Sequence, residues 1–194
     1  MATTLFASRA GEKLAFALEY FQVDVKGKVC ADFGSSTGGF VDALGQAGAT
    51  KIYAVETGYG VLDWKLRKNP SVVVLERTNA MHVILPEKVA MITNDTSWTR
   101  QAIIFPNILA NLKDGGSILT LIKPHYEADP KLLHHGVLEE AVAEVVANDC
   151  VKKLTNLFPV MLVGLVKSPL LGSKGGNTEF LALFQLSSRS GSPR

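Results

Sequence analysis

Val29-Cys30-Ala31-Asp32-Phe33-Gly34-Ser35-Ser36-Thr37-Gly38-Gly39-Phe40 decides how the rest of the chain is read. Its apolar beginning suits a short buried strand, its centre a glycine-rich turn, and its end the start of a helix. Asp32 closes the strand. A strand, turn and helix in this order direct backbone N–H groups and a helix N-terminus toward one edge of a sheet, where nucleotide-like ligands bind. Taken alone, the glycines fit a tight strand-to-helix connection equally well.

On the N-terminal side, Leu14, Ala17, Leu18 and Phe21 recur at helical spacing, with Ser8 as the expected N-cap and Glu12 in the first turn. Residues 1–7 are expected to be a disordered end. On the C-terminal side, the spacing predicts a strand over 28–33 and a helix over 38–47. A strand over 51–56 closes on Glu56, a short helix over 62–68 stops before Pro70, and 72–75 is β-branched. A strand over 89–95 ends in Asn94-Asp95. Ile104, Phe105, Ile108, Leu109 and Leu112 mark a further helix, with Pro106 in its first turn or kinking it. Asp114-Gly115-Gly116 reads as a turn before a strand over 117–122 that delivers Lys123. A helix over 136–149 and apolar strands over 157–166 and 179–186 follow, and 187–194 reads as a disordered tail. Short strands alternating with helices predict one α/β domain over 8–186. Its expected core is a Rossmann-like, seven-stranded, mostly parallel, doubly wound sheet with an antiparallel hairpin at one edge.

Composition narrows the classes. Of 194 residues, 47% are apolar and 20% charged, which excludes a disordered chain. The net charge of +2 neither announces nor excludes a nucleic-acid partner, because a local basic face suffices. Cys30 and Cys150 are far apart with apolar flanks, which suits buried free thiols in a reducing compartment. No apolar run approaches the ~20 residues of a bilayer span, and the first nine residues lack a secretory core. No membrane association is expected, and the cytoplasm is the expected location. His82, His134 and His135 have no companions at metal-ligand spacing, so no metal site is read.

In an open α/β sheet the ligand lies beyond the carboxyl ends of the strands, which points to Asp32, Glu56, Asp95 and Lys123. Glu56 follows Asp32 by 24 residues and ends the next strand, a position from which an acid accepts hydrogen bonds from ribose hydroxyls. A solvated acid at a loop start is the plainer alternative. The turn places Ser36 where a dinucleotide fingerprint requires its second glycine, and no phosphate-loop lysine motif occurs. That argues against NAD and ATP and for a nucleoside ligand without a pyrophosphate.

Asp32 to Phe40 resembles the S-adenosylmethionine loop of the FtsJ-like methyltransferases. Taken with Ser8-Arg9-Ala10-Gly11-Glu12-Lys13-Leu14, Gly58-Tyr59-Gly60, Leu62 to Arg67, Glu76-Arg77-Thr78-Asn79-Ala80, Lys123-Pro124 and Gly176-Asn177 with Glu179-Phe180-Leu181, it is similar to the methyltransferase domain of the TlyA family. These bacterial proteins were once called haemolysins and are understood as ribosomal RNA 2′-O-ribose methyltransferases. The resemblance implies a class I methyltransferase fold, S-adenosylmethionine as cofactor and RNA, ribosomal RNA or the ribosomal subunit, as partner. It implies cofactor contacts at Asp32, Gly34, Ser35, Ser36, Gly38, Phe40 and Asp95, with Glu56 on the ribose and Asn79 and Ala80 at the adenine. It also carries a catalytic Lys–Asp–Lys–Glu tetrad onto Lys13, Asp95, Lys123 and Glu179.

The chemistry suits these types. A ribose hydroxyl must lose a proton as it attacks a sulfonium methyl, and Lys123 is the expected base, with Lys13 and Glu179 orienting it and Asp95 fixing it. A neighbouring cation and partial burial favour the neutral amine, while carboxylates favour the ammonium. Trp64 is expected to be a packing residue. His125 and Tyr126 fit the substrate mouth or a plain loop. Asp95-Thr96-Ser97-Trp98 departs from the family's Asp-Val-Ser-Phe. The family also carries an N-terminal S4-type RNA-binding domain, and the chain starts almost on the Ser8 block, so that module is expected to be absent. The competing class is a non-catalytic cofactor-fold interaction protein or a membrane-active haemolysin. An unbroken tetrad and the lack of a long apolar or basic amphipathic segment weigh against it.

Overall fold

The computed structural model describes residues 5–172 and 175–187. Seven strands form one sheet in the order β3-β2-β1-β4-β5-β7-β6. The strands are β1 (Val29–Phe33), β2 (Lys51–Val55), β3 (Val72–Leu75), β4 (Val89–Asn94), β5 (Leu112–Ile122), β6 (Val160–Lys167) and β7 (Phe180–Leu186). β1 to β5 pair in parallel, whereas β7 runs antiparallel to both β5 and β6. This is the expected architecture: a mostly parallel sheet with an antiparallel pair at one edge.

Helices cover both faces, so the central strands are apolar almost throughout. On one face α1 (Ala10–Tyr20), α2 (Gly39–Gln46) and the short α3 (Trp64–Arg67) bury Leu14, Phe40, Leu44 and Leu66 against Cys30, Ile52 and Leu119. On the other, α4 (Gln101–Asn111) and α6 (Glu140–Leu157) bury Phe105, Ile108, Ala147 and Leu154 against Phe33, Ile118 and Phe184. Phe105 meets the Phe184 ring edge-on at 5.4 Å. A single-turn helix, α5 (Pro124–Glu127), follows β5 directly.

Several local expectations shift. Residues 5–7, expected to be part of a disordered end, lie against α2: the Ala7 amide donates to Asp42 Oδ2 at 2.8 Å and Gln46 donates to the Leu5 carbonyl at 3.1 Å. The other residues of the two expected disordered ends are outside the described residues, except Ser187, whose amide donates to the Pro159 carbonyl. The N-cap of α1 is Arg9 rather than Ser8. Pro106 falls inside α4 because that helix begins at Gln101. The Asp114–Gly116 turn is absorbed into β5, where Gly115 takes a φ of +69° and the register with β4 shifts between Val89 and Met91. The last helix, α6, runs from Glu140 to Leu157 rather than over 136–149, so β6 begins at Val160.

Candidate active site

The strand order reverses between β1 and β4, and there the chain opens a cavity of about 500 Å3 beyond the strand ends. Its lining joins three levels of the sheet. Gly34, Ser36, Glu56 and Thr57 come from the loops after β1 and β2; Thr78, Asn79, Ala80 and Met81 follow β3; Asp95 to Thr99 and Lys123 follow β4 and β5. A second recess of about 100 Å3 lies behind the glycine-rich turn, lined by Ser8, Asp32, Ser35, Gly39 and Phe40 among others. Gly34, Ser36 and Asp95 border both spaces.

Gly34 has a φ of +83°, and a Cβ there would stand 3.1 Å from the backbone of Asp95 and Thr96. Only glycine lets the two loops approach this closely. The amides of Gly34 and Ser35 both donate to the Val55 carbonyl, and that of Gly38 to the Ser35 carbonyl. These three amides are therefore committed inside the turn. Gly38, at φ +99°, borders neither space and lies under Leu62 and Leu66, where a larger residue would collide with α3. The amides that remain belong to the first turn of α2, which has no side-chain cap.

Glu56 spans the turn. Its Oε2 accepts from the Ser36 amide and its Oε1 from the Gly58 amide, each at 2.8 Å. Two carboxylate oxygens offer about four acceptor positions, so capacity remains toward the cavity. Asp32 is 1% exposed and accepts from the Thr93 hydroxyl at 2.6 Å. Burial pushes its carboxyl up to about 8, with the Thr93 bond opposing and the Asp95 and Glu56 charges adding to the rise. The buried Ser35 hydroxyl has no hydrogen-bond partner. An orphaned donor, a buried acid and uncapped helix amides around one recess are chemically matched to a small zwitterionic ligand end.

The four charged residues of the expected tetrad arrive from α1, the ends of β4 and β5, and the start of β7. They form two ion pairs. Lys123 Nζ lies 2.6 Å from Asp95 Oδ1 in the cavity wall and donates to Ser97 Oγ at 3.1 Å. Asp95 Oδ1 makes no aligned hydrogen bond, so its contact with the ammonium is chiefly electrostatic. Lys13 Nζ and Glu179 Oε2 lie 2.5 Å apart, and neither residue borders the two spaces. Ile122 stands opposite Phe180 in the β5–β7 ladder, so Lys123 and Glu179 occupy the next opposed positions.

The aromatic residues also depart from expectation. Trp64 is 66% exposed rather than packed, and the Lys68 ammonium lies 4.5 Å from its ring centre. Trp98 is 78% exposed, has a φ of +64°, lines the cavity and lies 5.2 Å from the Tyr126 ring. His125 packs on Tyr126 at 4.2 Å, and burial and Lys123 hold its imidazole below the usual value. Sequence reading marked Trp98 only as a departure from the family pattern and missed Thr93 and Ser97. Thr93 points inward from a strand interior, where nothing in local spacing distinguishes it from a packing residue.

The model of the FtsJ-like methyltransferase family matches residues 6–185. The chain belongs to the FtsJ-like methyltransferase family. This FtsJ-like chain is 35% identical to the 16S/23S rRNA (cytidine-2′-O)-methyltransferase TlyA of Mycobacterium tuberculosis, over 92% of its own length and 68% of that protein. It is 37% identical to YqxC of Bacillus subtilis, provisionally named an rRNA methyltransferase, over 91% of the chain and 64% of that protein. A solved structure from Streptococcus thermophilus, provisionally named a hemolysin, superposes with a TM-score of 0.90 at 32% identity, covering 95% of this chain and 68% of that one. The chain thus spans about two thirds of the length of the relatives it matches. Among the described residues, no helix is long and apolar enough to cross a membrane.

Proposed function

We propose that this FtsJ-like methyltransferase moves the methyl group of S-adenosylmethionine to a ribose 2′-hydroxyl of ribosomal RNA. The observation that carries the reading is the Lys123–Asp95 pair in the wall of the cavity that the glycine-rich turn also borders. The TlyA relative's activity supports the choice of acceptor.

The residues present fit the cofactor. Asp32 and the Ser35 hydroxyl suit an amino group, the first amides of α2 suit a carboxylate, Glu56 suits ribose hydroxyls, and Asn79 and Ala80 frame a purine. The cofactor supplies a methyl carried on a cationic sulfur, so its transfer to a hydroxyl oxygen releases one proton. Lys123 Nζ is the group placed to accept that proton at the cavity wall. Asp95 Oδ1 faces that nitrogen at 2.6 Å and holds the lysine at the cavity wall. Ser97 Oγ accepts from Nζ and restrains the lysine side chain at the wall. Lys13 and Glu179 hold α1 to the start of β7 and keep Glu179 across the ladder from Lys123. Trp98, exposed at the cavity mouth, offers a face to an unstacked base.

The test is transfer of labelled methyl to ribosomal subunits and to total RNA, followed by mapping of the modified nucleotide. Label in a 2′-O-methylribose is the expected result. Label confined to a base or to protein, or no transfer alongside tight cofactor binding, overturns the reading.

A further inference from the structure

Behind Asp95 and Lys123 lies a closed polar network that no part of the reading above uses. Asn94, Thr120 and Gln101 are 0%, 0% and 3% exposed. Gln101 Oε1 accepts from Asn94 Nδ2 at 3.1 Å and from the Thr120 hydroxyl at 2.7 Å, and its Nε2 donates to the Leu121 carbonyl at 3.3 Å. Asn94 Nδ2 also donates to Thr120 Oγ1 at 2.9 Å, and Asn94 Oδ1 accepts from the Thr96 hydroxyl at 3.1 Å. The Gln101 backbone N–H donates to Glu127 Oε1 at 2.6 Å, which supplies the cap that Arg100 does not provide to α4.

The partners of Gln101 sit on both sides of the reacting pair. Asn94 and Thr96 flank Asp95. Thr120 and Leu121 precede Lys123 on β5, and Glu127 ends the helix that follows it. Ordinary packing needs none of this: apolar residues at 94, 101 and 120 would fill the same space without burying polar side chains. Because every member is satisfied, the network has one low-energy arrangement, and that arrangement fixes the separation of two strand ends.

We propose that Gln101 is a positioning residue for methyl transfer, its side chain setting the distance between Asp95 and Lys123 through Asn94, Thr120 and the Leu121 carbonyl. The inference rests on the assignment of Lys123 as proton acceptor. Gln101 touches neither cavity, so its removal leaves cofactor binding in place and loosens the pair.

Gln101→Leu and Thr120→Val remove the bonds at nearly constant volume, and Thr120→Ser retains the hydroxyl. The expected result is a fall in kcat of about tenfold or more for each of the first two, with cofactor Kd changed by less than about threefold. Thr120→Ser stays near wild type, and the double variant is no worse than the worse single one. The pH dependence of kcat shifts in the two impaired variants. If Gln101→Leu does not fold, the Thr120 pair decides. A lowered Tm with unchanged kcat and pH profile, or additive losses, overturns the proposal by making the network structural only. The 13Cε resonance of Lys123, followed against pH in labelled wild type and Gln101→Leu, reads the pair without any activity. An unchanged titration sinks the positioning role, whereas wild type that transfers no methyl to RNA sinks the functional reading instead.

Discussion

Lys13 Nζ lies 2.5 Å from Glu179 Oε2, and the two side chains are only 8% and 5% exposed. Removing one member leaves a buried charge without its partner. Lys13→Met is therefore expected to cost about 3–5 kcal/mol, and adding Glu179→Leu to recover most of that. Urea denaturation of the two variants measures both numbers. Methyl transfer is expected to stay low in the double variant. A single variant as stable as wild type would show that water reaches the pair.

On the proposed reading, Lys123 takes a proton and does not hold the fold. Lys123→Ala is expected to lower kcat by about 10²- to 10⁴-fold while cofactor Kd stays within about threefold. Lys123→Arg should be as inactive, because a guanidinium keeps its proton. Single-turnover kinetics with saturating cofactor separates the two effects. Activity retained in the arginine variant would assign Lys123 an electrostatic role only.

Asp32 carries a pH signature. Its carboxyl is raised from 3.8 to about 8, chiefly by burial. Between those values the folded chain binds a proton that the unfolded chain does not, so stability falls as pH rises across the window. Asp32→Asn removes this dependence, and its Tm should exceed that of wild type by on the order of 5 °C at about pH 8.5, with a smaller gap at about pH 5. A cationic ligand end favours the ionised carboxylate, so cofactor affinity should climb from about pH 6 to about pH 8 with release of a proton. Calorimetry in buffers of different ionisation enthalpy detects it, and proton uptake would contradict the assignment.

Glu76 behaves in the opposite sense. The Arg67 guanidinium, then the Gly60 amide and its neighbours, hold its carboxyl at about 2 instead of 4.5. Its contribution is present above the unfolded value and is lost as pH falls through about 2. Wild type should therefore lose Tm more steeply between about pH 4.5 and pH 2 than Glu76→Gln. Parallel acid-side melting curves would show that Glu76 does not organise the loop over 60–62.

Much of this molecule was legible in order of chain locality. The β-branched run at 72–75 and the strand-to-turn stretch at 29–40 form as read, because their signals are short-range. Boundaries slipped where tertiary contacts decide them: Pro106 tolerates a helix interior, and Gly115 bends a strand instead of ending it. The site was legible at strand ends, since Asp95 and Lys123 can only emerge at one edge of a parallel sheet. That Asp95 would hold Lys123 was legible, but that Lys13 and Glu179 would pair with each other was not. That depends on the register of β7 against β5, which no local pattern encodes. Nor was it legible that the amides of Gly34 and Ser35 bond to Val55 of β2 and that of Gly38 to its own turn.

Gly34 meets Asp95 across the join between β1 and β4. Everything proposed to frame a purine and ribose comes from residues before Met81, and everything proposed to handle the acceptor hydroxyl, apart from Lys13, comes from residues after Val89. The two tasks are thus written in consecutive stretches of one chain and touch along a single seam. A lineage built on this plan can change what it modifies by rewriting the second stretch, so long as the residue at the seam stays small enough for both halves to close.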